Sequence, residues 1–319
     1  MRPFILIFVF AVMLGGAVAQ AQEEASVLEV LEQSVRKKPE KLIEKTPLPA
    51  QKMKTADRKT TATKIPRASQ ASPVRSNMMV MENVQYDTLK GQVMDVYAPY
   101  GSGNAAVILY ATGETGMPGH LKRKMEYWTH KGIIFVVARY REDVNVRLQA
   151  EDIARALYYV QTQSRTWGAD GNRLAVMGHG FAGHLVMLMA SDPTINKGLS
   201  WRGNIALASS AYDLPAVMRR PHAEMLDKLY GKEPEGWSAA SPYALVKGRI
   251  APSLFVCTSL ERWACDDPEK FQSKARRMGN AITVLAMDKD NTAIGTDLGM
   301  SSPYSDTVDA FLKEIGILP

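Results

Sequence analysis

From Met78 onward, short apolar runs alternate with mixed stretches of helical length. Met79–Tyr86 and Gln92–Tyr97 flank a turn at Lys90-Gly91 and predict a β-hairpin. Ala105–Ala111, Ile133–Arg139, Arg173–Gly178, Asn204–Ser209, Ser253–Cys257 and Ile282–Met287 are apolar without alternation, the pattern of strands covered on both faces. Between most of them lie helical patterns, at Leu121–His130, Leu148–Gln163, Ala182–Ala190 and Pro268–Met278. A last helix over Ser305–Ile315 would turn Val308, Phe311, Leu312 and Ile315 inward. This order predicts an α/β fold: a mostly parallel central sheet with helices on both faces.

The first 77 residues read differently. Met1-Arg2-Pro3 precedes an apolar run from Phe4 to Val18, and Ala17-Val18-Ala19 and Ala19-Gln20-Ala21 both match the small-x-small rule of signal-peptide cleavage. The run is about 15 residues, shorter than the ~20 that span a bilayer as a helix. A signal peptide over 1–21 and a periplasmic or secreted mature protein, with no transmembrane segment after cleavage, are the expectation. Residues 22–38 carry Val27, Leu28, Val30, Leu31 and Val35 on one helical face and predict a short amphipathic helix. Residues 39–77 are rich in Lys, Thr, Ser, Ala and Pro and nearly lack large apolar side chains, so a disordered linker is expected there.

Charge sharpens this division. The formal net charge of +6 is concentrated: Arg36 to Arg75 holds twelve Lys/Arg against Glu40, Glu44 and Asp57, which leaves the rest slightly acidic. A basic nucleic-acid-binding face on the domain is therefore excluded, while residues 36–75 can attach to an anionic envelope surface. The two cysteines, Cys257 and Cys265, either form a disulfide in an exported chain or remain a buried strand residue and a loop thiol. No histidine or second cysteine pair lies near them, so no metal site is expected, and no cofactor is called for.

Arg173-Leu174-Ala175-Val176-Met177-Gly178-His179-Gly180-Phe181-Ala182-Gly183-His184-Leu185 is a strand, a glycine-dense turn and a helix. It resembles the nucleophile elbow of α/β-hydrolases, particularly the carboxylesterase-like esterase and lipase branch. Met94-Asp95-Val96-Tyr97-Ala98-Pro99 is similar to that branch's Leu-Asp-Val-Tyr-x-Pro strand, and Arg139-Tyr140-Arg141 to its tyrosine-arginine pair. Gly168-Ala169-Asp170 before Arg173 resembles the Gly-x-Asp-x-x-Arg lead-in, and Ala240-Ser241-Pro242 the Ser-Pro after the cap. The resemblance covers the chain from about Met79 to its end. It implies an α/β-hydrolase fold with a small cap insertion at Pro215–Lys247.

The catalytic residues the resemblance implies are absent from their positions. The nucleophile falls on Gly180, which has no side chain. The base falls on Asn291, within Asp288-Lys289-Asp290-Asn291-Thr292-Ala293-Ile294, and an amide cannot accept the proton. All five histidines (120, 130, 179, 184 and 222) precede Ser253, so none can be shifted into the base position. The acid is expected at Glu261, Asp266 or Asp267. The oxyanion region falls on Gly113, Glu114 and Phe181, where Glu114 brings a negative charge of the wrong sign. His179 and His222 are the candidate ligand-pocket residues, His184 a core histidine, and Met177, Met187 and Met189 packing.

Three functions are thus in view. The first is an exported α/β-hydrolase-like protein that has lost Ser-His-Asp catalysis and binds a small molecule or a protein. The second is an active ester hydrolase with a non-standard nucleophile, Ser209, Ser210 or Cys265, assisted by His179 or His222. The third is an envelope-tethering protein acting through its basic tail. The reading leans away from an enzyme.

Overall fold

The computed structural model describes residues 78–319 apart from 223 and 262, so the expectations for residues 1–21, 22–38 and 39–77 lie outside the described residues. One sheet is built from β1 (Met78–Gln85), β2 (Val93–Pro99), β3 (Ala105–Thr112), β4 (Ile134–Arg139), β5 (Ala169–His179), β6 (Gly203–Leu207), β7 (Ser253–Thr258) and β8 (Ile282–Met287). Its spatial order is β1-β2-β4-β3-β5-β6-β7-β8. β2 runs antiparallel to both β1 and β4, and every other pair is parallel.

The helices are α1 (Gly119–Thr129), α2 (Val146–Gln163), α3 (Phe181–Ser191), α4 (Pro193–Asn196), α5 (Leu214–Met218), α6 (Glu224–Tyr230), α7 (Pro234–Ala239), α8 (Pro242–Leu245), α9 (Asp266–Arg277), α10 (Asn291–Asp297) and α11 (Pro303–Glu314). The strand pleat sorts the core into two layers. In β3, Val107, Leu109 and Ala111 join the layer of α2, α3 and α9, while Ala106, Ile108 and Tyr110 join that of α1 and α11. Full burial of leucines such as Leu121, Leu185 and Leu312 contributes about 1.5–3 kcal/mol each. Between β6 and β7, the short helices α5 to α8 form the expected cap insertion.

The expected strand over Asn204–Ser209 stops at Leu207, because Ala208 turns into the left-handed region at φ 44°. Several motif residues serve this scaffold. Asp95 on β2 pairs with Arg139 on β4 at 2.6 Å, both largely buried. Arg141 clamps Asp152 of α2 through Nε and Nη2, each at 2.7 Å. Arg173 donates to the carbonyls of Asn104, Gly316 and Ile317 and so ties the C-terminal residues to β5.

Candidate functional site

β5 ends in the glycine-dense turn, and α3 begins one residue beyond it. Gly180 sits at the apex with φ 55° and ψ −125°, a backbone conformation that side-chain-bearing L-residues rarely adopt. Its N–H donates to the Leu207 carbonyl at 2.8 Å, and its own carbonyl accepts from the Gly183 N–H at 3.0 Å. A Cβ placed on Gly180 would meet nothing within 4 Å. The apex is therefore held firmly on its backbone side and open where a side chain would project. Gly178 answers a different demand, since a Cβ there would come within 2.5 Å of the Ala182 carbonyl carbon.

Asn291, expected in a loop after the last strand, is instead the first residue of α10. The cause is local: the Asp290 carboxylate accepts from the Ala293 N–H at 2.6 Å and caps the helix. From there Asn291 directs Nδ2 at Oε1 of Glu261, 3.4 Å away. Of the other acid candidates, Asp267 is engaged elsewhere, accepting from the Tyr212 and Asp213 N–H groups at 2.7 and 3.2 Å. Burial pushes its carboxyl above the usual range. Asp266 lies exposed in the first turn of α9. Cys257 and Cys265 are joined in a disulfide that closes the loop carrying Glu261.

His179, His184 and His222 are each engaged. His179 donates from Nε2 to the Asn291 carbonyl at 2.9 Å, and its imidazole lies flush on Gly295 of α10. Burial holds it below the ordinary histidine value. His184 stacks between Phe181 and Tyr212, with Nδ1 3.4 Å from the Ser210 carbonyl and Nε2 3.1 Å from that of Ala240. Burial pulls it down to about 4. His222 faces Asp227 at 3.0 Å and the Arg220 carbonyl at 2.6 Å, and Asp227 holds it on the protonated side of its ordinary value.

His179 and His222 are not among the residues lining the large cleft that opens beside the cap, and each ring is engaged with a partner of its own. Among the described residues no histidine ring hydrogen-bonds to a serine hydroxyl or a cysteine sulfur; the one serine contact, from His184, is to the Ser210 carbonyl. Of the substitute nucleophiles, Cys265 is bridged, Ser209 is buried, and Ser210 is exposed on the cleft wall.

On the oxyanion side, Glu114 follows β3 and Gly113, its N–H donating to Thr112 Oγ1 at 3.0 Å. Its carboxylate pairs with His120 at 3.4 Å, a hydrogen bond that holds it below the usual carboxylate range. Behind it lies a residue that the sequence reading passed over. Lys124 is wholly buried and donates to the Gly295 carbonyl, and burial pulls its ammonium down to about 8. Arg123 donates to the Thr296 carbonyl at 2.6 Å and the Tyr304 hydroxyl to that of Ile294 at 2.9 Å. Three successive carbonyls near the end of α10 are thereby satisfied, two of them by cations that also suit the helix dipole. The signal was present: Lys124 occupies the same helical stripe as Leu121, Met125 and Trp128, a charged residue in a core position.

Residues 94–200 match the BD-FAE family model, an esterase-type α/β-hydrolase family. Similar solved structures include the thermophilic esterase Est2 of Thermogutta terrifontis, 20% identical with a TM-score of 0.58 over 77% of this chain and 95% of that one. Esterase B of Lactobacillus rhamnosis HN001 is 16% identical, with a TM-score of 0.60 over 75% of this chain and 85% of that one. The Thermogutta esterase 2 phosphorylated by paraoxon is 18% identical, with a TM-score of 0.55 over 76% and 96% of the two chains. No curated protein matches the sequence. Strand order and elbow agree with these structures, and the chain has the α/β-hydrolase fold.

Proposed function

We propose that this protein is an exported member of the esterase branch that no longer carries out serine hydrolysis and instead binds a small molecule or a protein. Gly180 carries the reading. It stands at the elbow apex, in the backbone conformation of the turn, with open space and no hydroxyl where a nucleophile would project. Asn291 supports it, because an amide facing Glu261 can donate a hydrogen bond but cannot take a proton from an attacking group. Glu114 supports it as well, since its carboxylate, held ionised by His120, opposes negative charge building up on a substrate oxygen. The basic segment 36–75 would hold the exported protein to an anionic envelope surface.

The test is chemical. The full chain, intact and after reduction and alkylation of its cysteines, is incubated with short-chain nitrophenyl esters and, separately, with paraoxon or a fluorophosphonate probe. No turnover and no labelled serine are expected. Labelling that persists in the Ser209→Ala, Ser210→Ala double variant overturns the reading, because another serine must then be activated. Deleting residues 20–77 should release the protein from the envelope fraction.

A further inference from the structure

A cleft of about 820 Å³ opens at the carboxyl ends of β6 and β7. The cap helices α5 and α6 supply one wall, the disulfide loop and the start of α9 the other. Val217, Leu226 and the exposed Trp263 give it an apolar lining. Gly180, His179, Asn291 and Glu114 are not among the residues that line it.

Five charged residues line this cleft, and three are already satisfied. Asp213 and Lys270 form an ion pair, and Asp267 accepts two backbone N–H groups. The remaining two, Arg220 and Asp266, have no side-chain partner among the described residues. They are of opposite sign and come from different walls, Arg220 just after α5 and Asp266 at the start of α9.

We propose that the cleft binds a zwitterion with an apolar body: an apolar amino acid or a short peptide. Its carboxylate would meet the Arg220 guanidinium and its ammonium the Asp266 carboxylate. Its apolar part would cover Val217, Leu226 and the Trp263 ring. A ligand bearing only an amine leaves Arg220 unanswered. One bearing only a carboxylate leaves Asp266 unanswered and meets its repulsion. The proposal stands whether or not the elbow hydrolyses esters.

Calorimetric titration of the full chain with phenylalanine and with leucyl-phenylalanine tests this, set against phenethylamine and phenylpropionate, which keep the ring and one charge each. At least one zwitterion should bind saturably and about tenfold or more tighter than either single-charge analogue. Arg220→Gln should abolish the advantage over phenethylamine, and Asp266→Asn the advantage over phenylpropionate. Both side chains are exposed, so unchanged melting temperatures will show that the variants fold. No saturable binding of either zwitterion, equal binding of a single-charge analogue, or unchanged affinities in both variants overturns the proposal. Such a failure leaves the reading of the elbow intact, since that rests on serine labelling and ester turnover.

Discussion

Asn291 points its amide nitrogen at the Glu261 carboxylate across 3.4 Å, although Glu261 lies on the loop after β7 and Asn291 opens α10, after β8. In a working triad the base receives such support from the acid, which orients it and stabilises its protonated form. Here the contact joins a carboxylate to an amide, so it can fix the loop that carries Glu261 but gives no group that could accept a proton from a nucleophile. The disulfide between Cys257 and Cys265 closes the loop that presents Glu261.

The first prediction concerns that loop. Closing about eight residues stabilises by roughly 2–3 kcal/mol through the restriction of the unfolded chain. Cys257→Ala with Cys265→Ala should lose that amount in denaturant unfolding. Mass spectrometry of the protein purified without reduction should find neither thiol open to alkylation; two alkylated thiols would mean that no bridge forms.

A second prediction follows from the seat of His179. A methyl group on Gly295 would lie 2.5 Å from the imidazole Nε2, well inside contact distance. Gly295→Ala should therefore destabilise by about 1–3 kcal/mol, as overpacking does. Removing the ring with His179→Ala in the same chain should recover much of the loss, which a double-mutant cycle reads as coupling. Strictly additive effects would show that the ring does not depend on this glycine.

The hairpin, the buried strands and the elbow were legible because each is local. Alternation, apolar runs and Gly178 and Gly180 signal themselves within a few residues, and the structure places Ile282–Met287 with the boundaries expected. What stayed hidden depends on distant partners. Lys124 has its role only because the Gly295 carbonyl, 171 positions away, ends a short helix above it. Three carboxylates after β7 were equivalent as sequence; only the fold gives Asp267 to the backbone of Tyr212 and Asp213 and leaves Glu261 facing Asn291. The same holds for Asn291 itself, whose helical setting follows from the cap at Asp290.

The third prediction is acid sensitivity through His184. Its folded value is about 4 against 6.5 for the free group, so between those values the unfolded chain binds a proton that the folded chain refuses. Stability is fully present above pH 6.5 and falls as pH drops through this window, by about 3 kcal/mol near pH 4. His184→Gln, which keeps a polar group near the Ala240 carbonyl, should flatten the slope between pH 6.5 and 4. An unchanged slope would assign the acid sensitivity to other groups.

Lys124 predicts the opposite end of the scale. Its folded value is about 8 against 10.5 free, so between pH 8 and 10.5 the unfolded chain holds a proton that the folded chain has shed. Stability should rise with pH from 8 toward 10. Above 10 the buried Tyr86, Tyr110 and Tyr212, whose values are raised by burial, reverse the trend. Lys124→Met should remove the rise between pH 8 and 10 and leave the later decline. A rise that survives the substitution would exclude Lys124 as its source.

The last prediction concerns Gly180, where strain and chemistry can be separated. The apex holds φ 55° and ψ −125° with open space beyond it, so Gly180→Ser meets no clash but forces a side-chain-bearing residue into a disfavoured backbone well. The cost should be about 1–3 kcal/mol, read as a lower melting temperature. Turnover should not return, because Asn291 supplies no base. Asn291→His in the same chain restores an imidazole next to Glu261, but Glu114 still sets a carboxylate against the developing oxyanion. Ester hydrolysis should therefore stay poor in the double variant and rise only when Glu114→Gly is added. An efficient esterase from Gly180→Ser alone would reveal a base other than position 291. An unchanged or higher melting temperature would show that the turn is not strained, and the argument from its backbone would fail.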